Sequence, residues 1–377
     1  MNINKQINMQ RMYGFTLVEI MVSLVISSIL MLGVIEVFSN SKRNSKVNEA
    51  VSRVQENARF AMEAIITDFR KAGYVGCNPD NINNLIDTTA AGYDELFNLD
   101  AGTGGWEYDA SSTKPVTTTL GSPYVIPATF SVTSAVSNWS GTSGSDLPAS
   151  LANKVAPGSD VIVIKWAEAL SGITGKSNNN SANKSVGTTG DHGIPQGGIM
   201  LLSNCAGGDV FVNTSNASDN TARGTAAGWD PGNKAGSWSQ SWKENTQIMG
   251  VQSRAYYIGE GTGGGPALWR ANFNDGVNAG AVTFEELAEG IENMQVLYGV
   301  DADSNGVIDS YNTAELVSHS QVVAIQLGMI ASSDSESLST AKARKLNVVG
   351  TIVQTPNDRR LRYVFSSTTK LRNKGVK

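Results

Sequence analysis

The hydrophobic pattern predicts one long helix near the start of the chain. From residue 15 to residue 38 nearly every position is apolar, so the segment is hydrophobic on all sides. About 20 such residues, each rising about 1.5 Å, cross the hydrocarbon of a bilayer. The first proline is Pro79 and Gly73 is a suitable C-cap, so we expect the helix to end near residue 72. Beyond residue 42 the pattern becomes amphipathic, with apolar residues three or four positions apart: Val47, Val51, Val54, Ala58, Ala61, Ile65 and Phe69.

The pattern after residue 77 is that of a β-rich domain with long loops. Residues 78–155 are rich in Asn, Asp, Thr, Gly and Ser and predict loops with short strands, and residues 171–193 and 214–247 predict further loops. Residues 285–289 predict a short helical turn. We expect an α+β fold in which the second half of the helix packs on an antiparallel sheet. Apolar or alternating runs predict strands at 160–166, 199–202, 210–212, 254–258, 267–270, 291–298, 321–330, 347–354 and 361–366.

The segment before the apolar helix does not fit an ordinary signal peptide. A secretory signal carries its small residues after the apolar stretch, whereas Gly14 precedes it and follows Lys5 and Arg11. Cleavage after Gly14 would remove a short polar leader and keep the helix on the mature protein. Glu19 interrupts the apolar segment, and a carboxylate at that depth costs roughly a few kcal/mol, so it marks a functional position.

Composition argues for an exported protein and against a nucleic-acid binder. Only 17% of the 377 residues are charged, and 39 are glycine. Loss of a leader containing Lys5 and Arg11 takes the basic residues from 29 to 27 against 34 acidic ones, a formal charge of −7. No basic run with interleaved aromatic residues is present in the sequence, so we predict no nucleic-acid partner. Cys77 and Cys205 predict one disulfide; the alternative is two separate buried thiols.

Enzymatic motifs are incomplete throughout the sequence. Residues 172–177 resemble a phosphate-binding loop, but only two residues separate the glycines where four are required. Residues 141–145 do not form a nucleophile elbow, because the last glycine is misplaced. The two histidines, His192 and His319, lack metal-ligand spacing. We therefore predict no catalytic residues and no required cofactor.

Residues 301–309 match the first nine positions of an EF-hand calcium loop. Gly306 stands at the turn position, but Asn312 occupies position 12, where a bidentate Glu belongs. A predicted strand, not a helix, precedes the loop, and Asp, Asn and Gly also form ordinary turns. Calcium is thus a candidate ligand of low affinity. The oxygen ligands would come from Asp301, Asp303, Asn305, Val307 and Asp309.

Several segments resemble known families. The string from Gly14 to Glu19, G-F-T-L-V-E, resembles the class III signal of type IV prepilins. The remaining similar segments are 72–77 (AGYVGC), 158–163 (GSDVIV), 201–205 (LLSNC) followed by 209–211 (DVF), 286–301 (ELAEGIENMQVLYGVD) and 364–373 (VFSSTTKLRN). Together they resemble the PilW family of type IV pilus minor pilins.

The resemblance implies a ladle-shaped pilin with a leader (1–14), an N-terminal helix (15–75, of which 15–38 spans the membrane) and a β-rich globular domain (76–377). It implies that the prepilin peptidase cuts after Gly14 and methylates Phe15. Independently, the new amine of Phe15 and the Glu19 carboxylate of an incoming subunit could neutralise each other in the fibre. The alternative is that Glu19 only reaches towards the membrane interface.

PilW-like proteins are similar to the J-type pseudopilins of type II secretion. The implied function is to prime pilus assembly and to form part of the tip complex, with minor pilins, the major pilin, the inner-membrane assembly platform and a tip adhesin as partners. Before assembly the protein would cross the inner membrane once, with its globular domain in the periplasm. The alternatives are a J-type pseudopilin and a pilin-anchored, calcium-dependent adhesin.

Overall fold

The computed structural model describes residues 14–78, 81–93, 95–99, 101–108, 124–133, 135–225, 228–273 and 282–373. The leader residues before Gly14, and the parts of the predicted loops at 109–123 and 226–227, lie outside the described residues. The chain forms two compact units, one up to Ala50 and one from Val51 onward. The first unit is helical, and the second holds all the strands described below.

A single helix, α1 (Leu17–Phe69), confirms the predicted long N-terminal helix. Its apolar first part is long and hydrophobic enough to cross a membrane, and none of those side chains is buried within the protein. The helix ends slightly earlier than expected, because residues 70–73 continue as a turn in which Lys71 N–H donates to Asp68 and Ala72 N–H donates to Phe69. Gly73 follows with φ of +72°, the left-handed conformation of a C-terminal cap.

The largest sheet has nine strands and is mostly antiparallel. The central strand of this sheet, Gln247–Glu260, is also the longest. It pairs with two strands along one of its edges and with one strand along the other. In spatial order the strands are β1 (Ile82–Asn84), β8 (Gly207–Val212), β7 (Ile199–Asn204), β10 (Gln247–Glu260), β5 (Val161–Ala169), β2 (Thr103–Tyr108) and β4 (Trp139–Ser140), with β11 (Pro266–Asn272) and β12 (Thr283–Glu289) extending from β10.

A second sheet contains the C-terminal part of the chain, and two small sheets flank the larger ones. The second sheet has the order β14 (Ser310–Asn312), β13 (Ile291–Val300), β15 (Val322–Ser332) and β18 (Arg362–Lys370). The small sheets are β16 (Lys345–Val348), β17 (Thr351–Gln354) and β3 (Tyr124–Val125), and the pair β6 (Ser185–Gly187) and β9 (Asn220–Ala222).

One face of the helix after residue 51 is buried on the two larger sheets. The amphipathic stripe supplies this face, as the spacing predicts, with Val54, Ala58 and Ile65 buried. They pack with Ile162 of β5 and Val296 of β13 in one continuous core. Each fully buried aliphatic side chain contributes about 1.5–3 kcal/mol. A separate core covers the opposite face of β5.

Two predictions are wrong in detail. Residues 285–289 form a strand, because they pair antiparallel with β11 and their helix propensity yields to that pairing. The expected single strand at 347–354 is a hairpin of β16 and β17, turned at Val349 (φ +43°) and Gly350 (φ +103°). The predicted α+β fold is confirmed: the sheets are mostly antiparallel, and they are mixed because β1 pairs parallel with β8 and β17 pairs parallel with β3.

Candidate functional site

The N-terminal segment begins the helix with a capping box. The carboxylate of Glu19 accepts hydrogen bonds from the backbone N–H and the hydroxyl of Thr16, both at 2.9 Å. In return, the N–H of Glu19 donates to the Thr16 hydroxyl at 3.3 Å. This reciprocal arrangement satisfies donors that a helix start leaves free. Glu19 thus has a local structural role in addition to its predicted role in assembly. The pattern T-x-x-E before an apolar run was a signal in the sequence.

A disulfide fastens the segment after the helix to the main sheet, and this confirms the predicted pairing. Cys77 and Cys205 are bridged with their Cα atoms 4.8 Å apart. Cys205 lies in the tight turn between β7 and β8. Beside the bridge the Ser203 hydroxyl donates to the Val75 carbonyl at 3.2 Å, and Gly76 packs so closely there that a Cβ would lie 2.6 Å from Ser203 Oγ. The segment that follows the helix is therefore held in one position beside β7.

A buried carboxylate joins the last turn of the helix to β10. Asp68 accepts a hydrogen bond from Arg254 at 2.7 Å and one from the Tyr256 hydroxyl at 2.6 Å, and Lys71 lies 3.6 Å from its other oxygen. Burial raises the pKa of Tyr256, and the neighbouring Asp68 charge raises it further. The sequence contained one sign of this role: Asp68 is three positions from Ile65 and therefore lies on the apolar stripe.

The end of the described chain is hydrogen-bonded to the turn that follows the same helix. The Asn373 side-chain amide donates to the carbonyl of Lys71 at 3.0 Å and to that of Ala72 at 3.3 Å. Both carbonyls belong to the turn that follows the helix, and the Lys71 carbonyl also accepts the Tyr74 N–H at 3.1 Å. Gly73 N–H donates to the Lys165 carbonyl at 2.9 Å, which fixes the turn against β5. Two of the segments that resemble PilW, 72–77 and 364–373, therefore meet in space.

Two further segments of that resemblance meet in a buried polar cluster between β5 and β13. Asp160 accepts the N–H of Val296 at 2.9 Å, and the Asn293 amide donates to the Gly158 carbonyl at 2.6 Å. Burial raises the pKa of Asp160 to about 7, although N–H groups of Val296 and Tyr108 act in the opposite direction. The cluster positions the two large sheets against each other, so its role is structural.

The predicted calcium loop lies between β13 and β14. The carboxylates of Asp301, Asp303 and Asp309 come together, with oxygens within 4.8 Å of one another. Asp301 accepts the N–H groups of Asn305 at 3.0 Å and Gly306 at 2.8 Å. Burial acts to raise the pKa of Asp301, but these N–H groups outweigh it and hold the pKa below its ordinary value.

The loop fits a hard cation only in part. Asn305 turns its amide towards Asp303 at 2.8 Å, and its side-chain oxygen accepts the N–H of Val307 at 2.7 Å. Asn312, at position 12, instead donates to Ser310 in the β14 strand. The Lys370 ammonium lies 3.5 Å from the Gly306 carbonyl and adds a repelling charge. Three clustered carboxylates suit calcium, but the ligand set supports at most weak binding.

The two histidines take part in local contacts that involve no metal cluster among the described residues. His192 contacts the Asn220 carbonyl at 3.2 Å, and His319 contacts the Thr103 hydroxyl at 3.2 Å. They belong to different parts of the fold, one beside β9 and the other beside β2.

Comparisons with known protein families agree with this geometry. Residues 9–35 match the family model described as the prokaryotic N-terminal methylation motif. A chain with this motif, followed by a long apolar helix and a β-rich domain, is a membrane-anchored, type IV pilin-like protein. Residues 255–373 match the model described as Type IV Pilus-assembly protein W. Together the two matches support a type IV pilus minor pilin of the PilW family. Searches of curated proteins and of solved structures return no match.

Proposed function

We propose that this protein is a minor pilin that primes type IV pilus assembly and forms part of the pilus tip complex. The observation that carries the proposal is the combination, in one chain, of the methylation-motif helix and a C-terminal sheet that matches a pilus-assembly family. Its partners are other minor pilins, the major pilin, the prepilin peptidase and the inner-membrane platform, with an adhesin at the tip. The globular domain is periplasmic before assembly and extracellular afterwards.

Assembly begins with processing between Gly14 and Phe15. The cut gives Phe15 a free amine with a reference pKa of about 7.7–8.0, and Glu19 follows about one helical turn later. In a staggered bundle the carboxylate of one subunit meets the amine of another. Either charge alone is strongly unfavourable away from water, whereas the pair compensates, so pairing favours one axial register. Mass spectrometry of the mature N-terminus tests the first step, and a terminus other than Phe15 overturns it.

The capping box allows the charge of Glu19 to be tested apart from its hydrogen bonds. Glu19→Gln keeps a side chain that can close the capping box and removes the charge. Thr16→Val, the matched control, removes the side-chain cap and keeps the charge. We expect Glu19→Gln to reduce pilus number and recovery of the tip complex sharply, and Thr16→Val to reduce them little. The measurements are pilus counts and affinity purification from cells whose only copy is the variant.

Two results would overturn the charge pairing, and a third would overturn the minor-pilin role. Normal piliation with Glu19→Gln would remove the charge pairing, and equal loss with both variants would assign the effect to helix capping alone. Co-purification of the wild-type chain with subunits of a secretion system, and without pilus subunits, would replace the minor-pilin role by that of a J-type pseudopilin.

We also infer that the 301–309 loop takes calcium weakly, as a stabilising ion and not as a required cofactor. The three clustered carboxylates support this, and the missing bidentate acid and the nearby Lys370 set the low affinity. A calcium-dependent adhesin would need the ion at its binding surface, so loss of the loop acids would then abolish adhesion without changing pilus number.

A further inference from the structure

A cleft of about 340 Å³ lies where three segments meet at the end of the helix. The helix end contributes Arg70 and Lys71, the end of β5 contributes Trp166 and Glu168, and the C-terminal segment contributes Arg372. Three cations and one acid give this lining a formal charge of +2. The mature chain as a whole is acidic, so the cleft concentrates positive charge that the protein as a whole lacks.

The cations of the cleft are not neutralised equally. Lys71 lies 3.6 Å from Asp68, and its ammonium sits 5.1 Å from the centre of the Trp166 ring. Arg70 and Arg372 are exposed, and the described part of the chain places no carboxylate within ion-pair distance of either. The indole N–H of Trp166 is buried and has no hydrogen-bond acceptor among the described residues. The cleft therefore has more donors than acceptors.

The backbone segments that carry these donors are held in place. The N–H of Ala167 donates to the Tyr74 carbonyl at 2.7 Å, so the segment after the helix runs beside the end of β5. Asn373, the neighbour of Arg372, is hydrogen-bonded to the turn after the helix. Groups positioned before binding lose less conformational entropy when a ligand arrives. An ordinary solvent-exposed charged surface would not require the helix end, the end of β5 and the C-terminal segment to converge in this way.

We propose that this cleft docks an acidic segment of a neighbouring subunit in the pilus, an inference that rests on the proposed function. Carboxylates are the complementary group, because a guanidinium can bind one through two parallel hydrogen bonds. Tyr74, 39% exposed at the rim, supplies apolar contact. Docking in this cleft would orient the globular domain in the fibre, whereas the pairing of Glu19 with the Phe15 amine of another subunit would set the position of the subunit along the fibre axis.

The test uses the full chain in cells that assemble pili. A photo-crosslinking phenylalanine analogue replaces Tyr74, and the control places it at Tyr363, which is 41% exposed and lies outside the cleft. We expect the Tyr74 position to crosslink to an acidic segment of another pilus subunit, identified by mass spectrometry. Arg70→Glu with Arg372→Glu should lower that yield roughly tenfold, because reversing rim charges disfavours encounter. The Tyr363 products should not change.

Folding and incorporation are checked separately. Both arginines are exposed, so the reversed variant should keep its melting temperature, and Arg70→Lys with Arg372→Lys should retain most of the crosslink. Suppose that the chain is incorporated into pili. The docking proposal alone is then overturned if the Tyr74 position gives no crosslink, or crosslinks to lipid or to a segment without acidic residues. It is also overturned if the crosslink survives charge reversal. A wild-type chain that is missing from purified pili and tip complexes overturns the proposed function and this inference with it.

Discussion

Removal of the Cys77–Cys205 disulfide should destabilise the globular domain by a predictable amount. The perturbation is Cys77→Ser with Cys205→Ser in the domain that lacks residues 1–40. Both cysteines are exposed, so the substitution removes little buried surface and leaves the core intact. The main effect is then on the unfolded chain, which is no longer closed into a loop.

The magnitude follows from the length of that loop. The bridge spans a sequence separation of 128 residues. The loop-closure relation gives about 5 kcal/mol at 25 °C for a loop of this size. Domains are typically stable by about 5–15 kcal/mol, so the loss takes a large part of the total. With a urea slope of about 3 kcal/mol/M, the unfolding midpoint should fall by about 1.7 M.

Urea unfolding followed by circular dichroism measures this change. Reduction of the wild-type domain should lower the midpoint by the same amount as the double substitution. Ala206→Ser, an exposed change in the same turn, is the matched control and should have a midpoint within about 0.2 M of wild type, as surface substitutions usually do. The slope of the variant should increase, since an unconstrained unfolded chain exposes more surface.

A fall of less than about 0.3 M, at an unchanged slope, would show that the bridge does not constrain the unfolded chain as this reasoning requires. A large fall with Ala206→Ser would instead locate the effect in the turn between β7 and β8. Either result would refute the assignment of the stabilisation to loop closure.

Three other outcomes are expected. Millimolar calcium should raise the melting temperature of the domain modestly. Asp301→Ala with Asp303→Ala should abolish this rise. If calorimetry shows no calcium binding by the wild-type domain, the loop is an ordinary turn. The pKa of Asp160 is raised from 3.8 to about 7 in the folded state. Between these two pH values the folded state holds more protons than the unfolded state, so the contribution of Asp160 to stability falls as pH rises. Asp160→Asn should therefore flatten the pH profile of the free energy of unfolding, and an unchanged profile would contradict this prediction. Asn373→Ala should cost about 1 kcal/mol in urea unfolding, because the carbonyls of Lys71 and Ala72 lose the amide donor. Asn373→Gln should lose less, and equal losses would refute the role of this amide.

The features predictable from the sequence are those that depend on local pattern. The long helix follows from its apolar and amphipathic spacing, and the disulfide follows from a count of two cysteines in an exported chain. The helix end at Gly73 follows from the conformational freedom of glycine. The capping box of Thr16 and Glu19 also had a local signature, because its residues are three positions apart.

The remaining features depend on pairing between distant residues. Asp68 meets Arg254 across 186 positions, a contact that exists only once the sheet has placed β10 beside the helix. The strand β12 contains good helix formers, and its partner β11 determines its conformation. The hairpin of β16 and β17 needed recognition of the turn at Val349 and Gly350. Local sequence contains no measure of these tertiary contacts.

The disulfide also shortens the mechanical path through the domain. Tension in a pilus exerts a force on each subunit through its helix. The disulfide transmits this force directly from the segment after the helix to the turn at Cys205. The residues between the cysteines, which are 128 positions apart in the sequence, are thereby excluded from extension. At about 3.4 Å per residue they represent about 430 Å of chain. A subunit that began to unfold under load would therefore lengthen far less than its sequence allows.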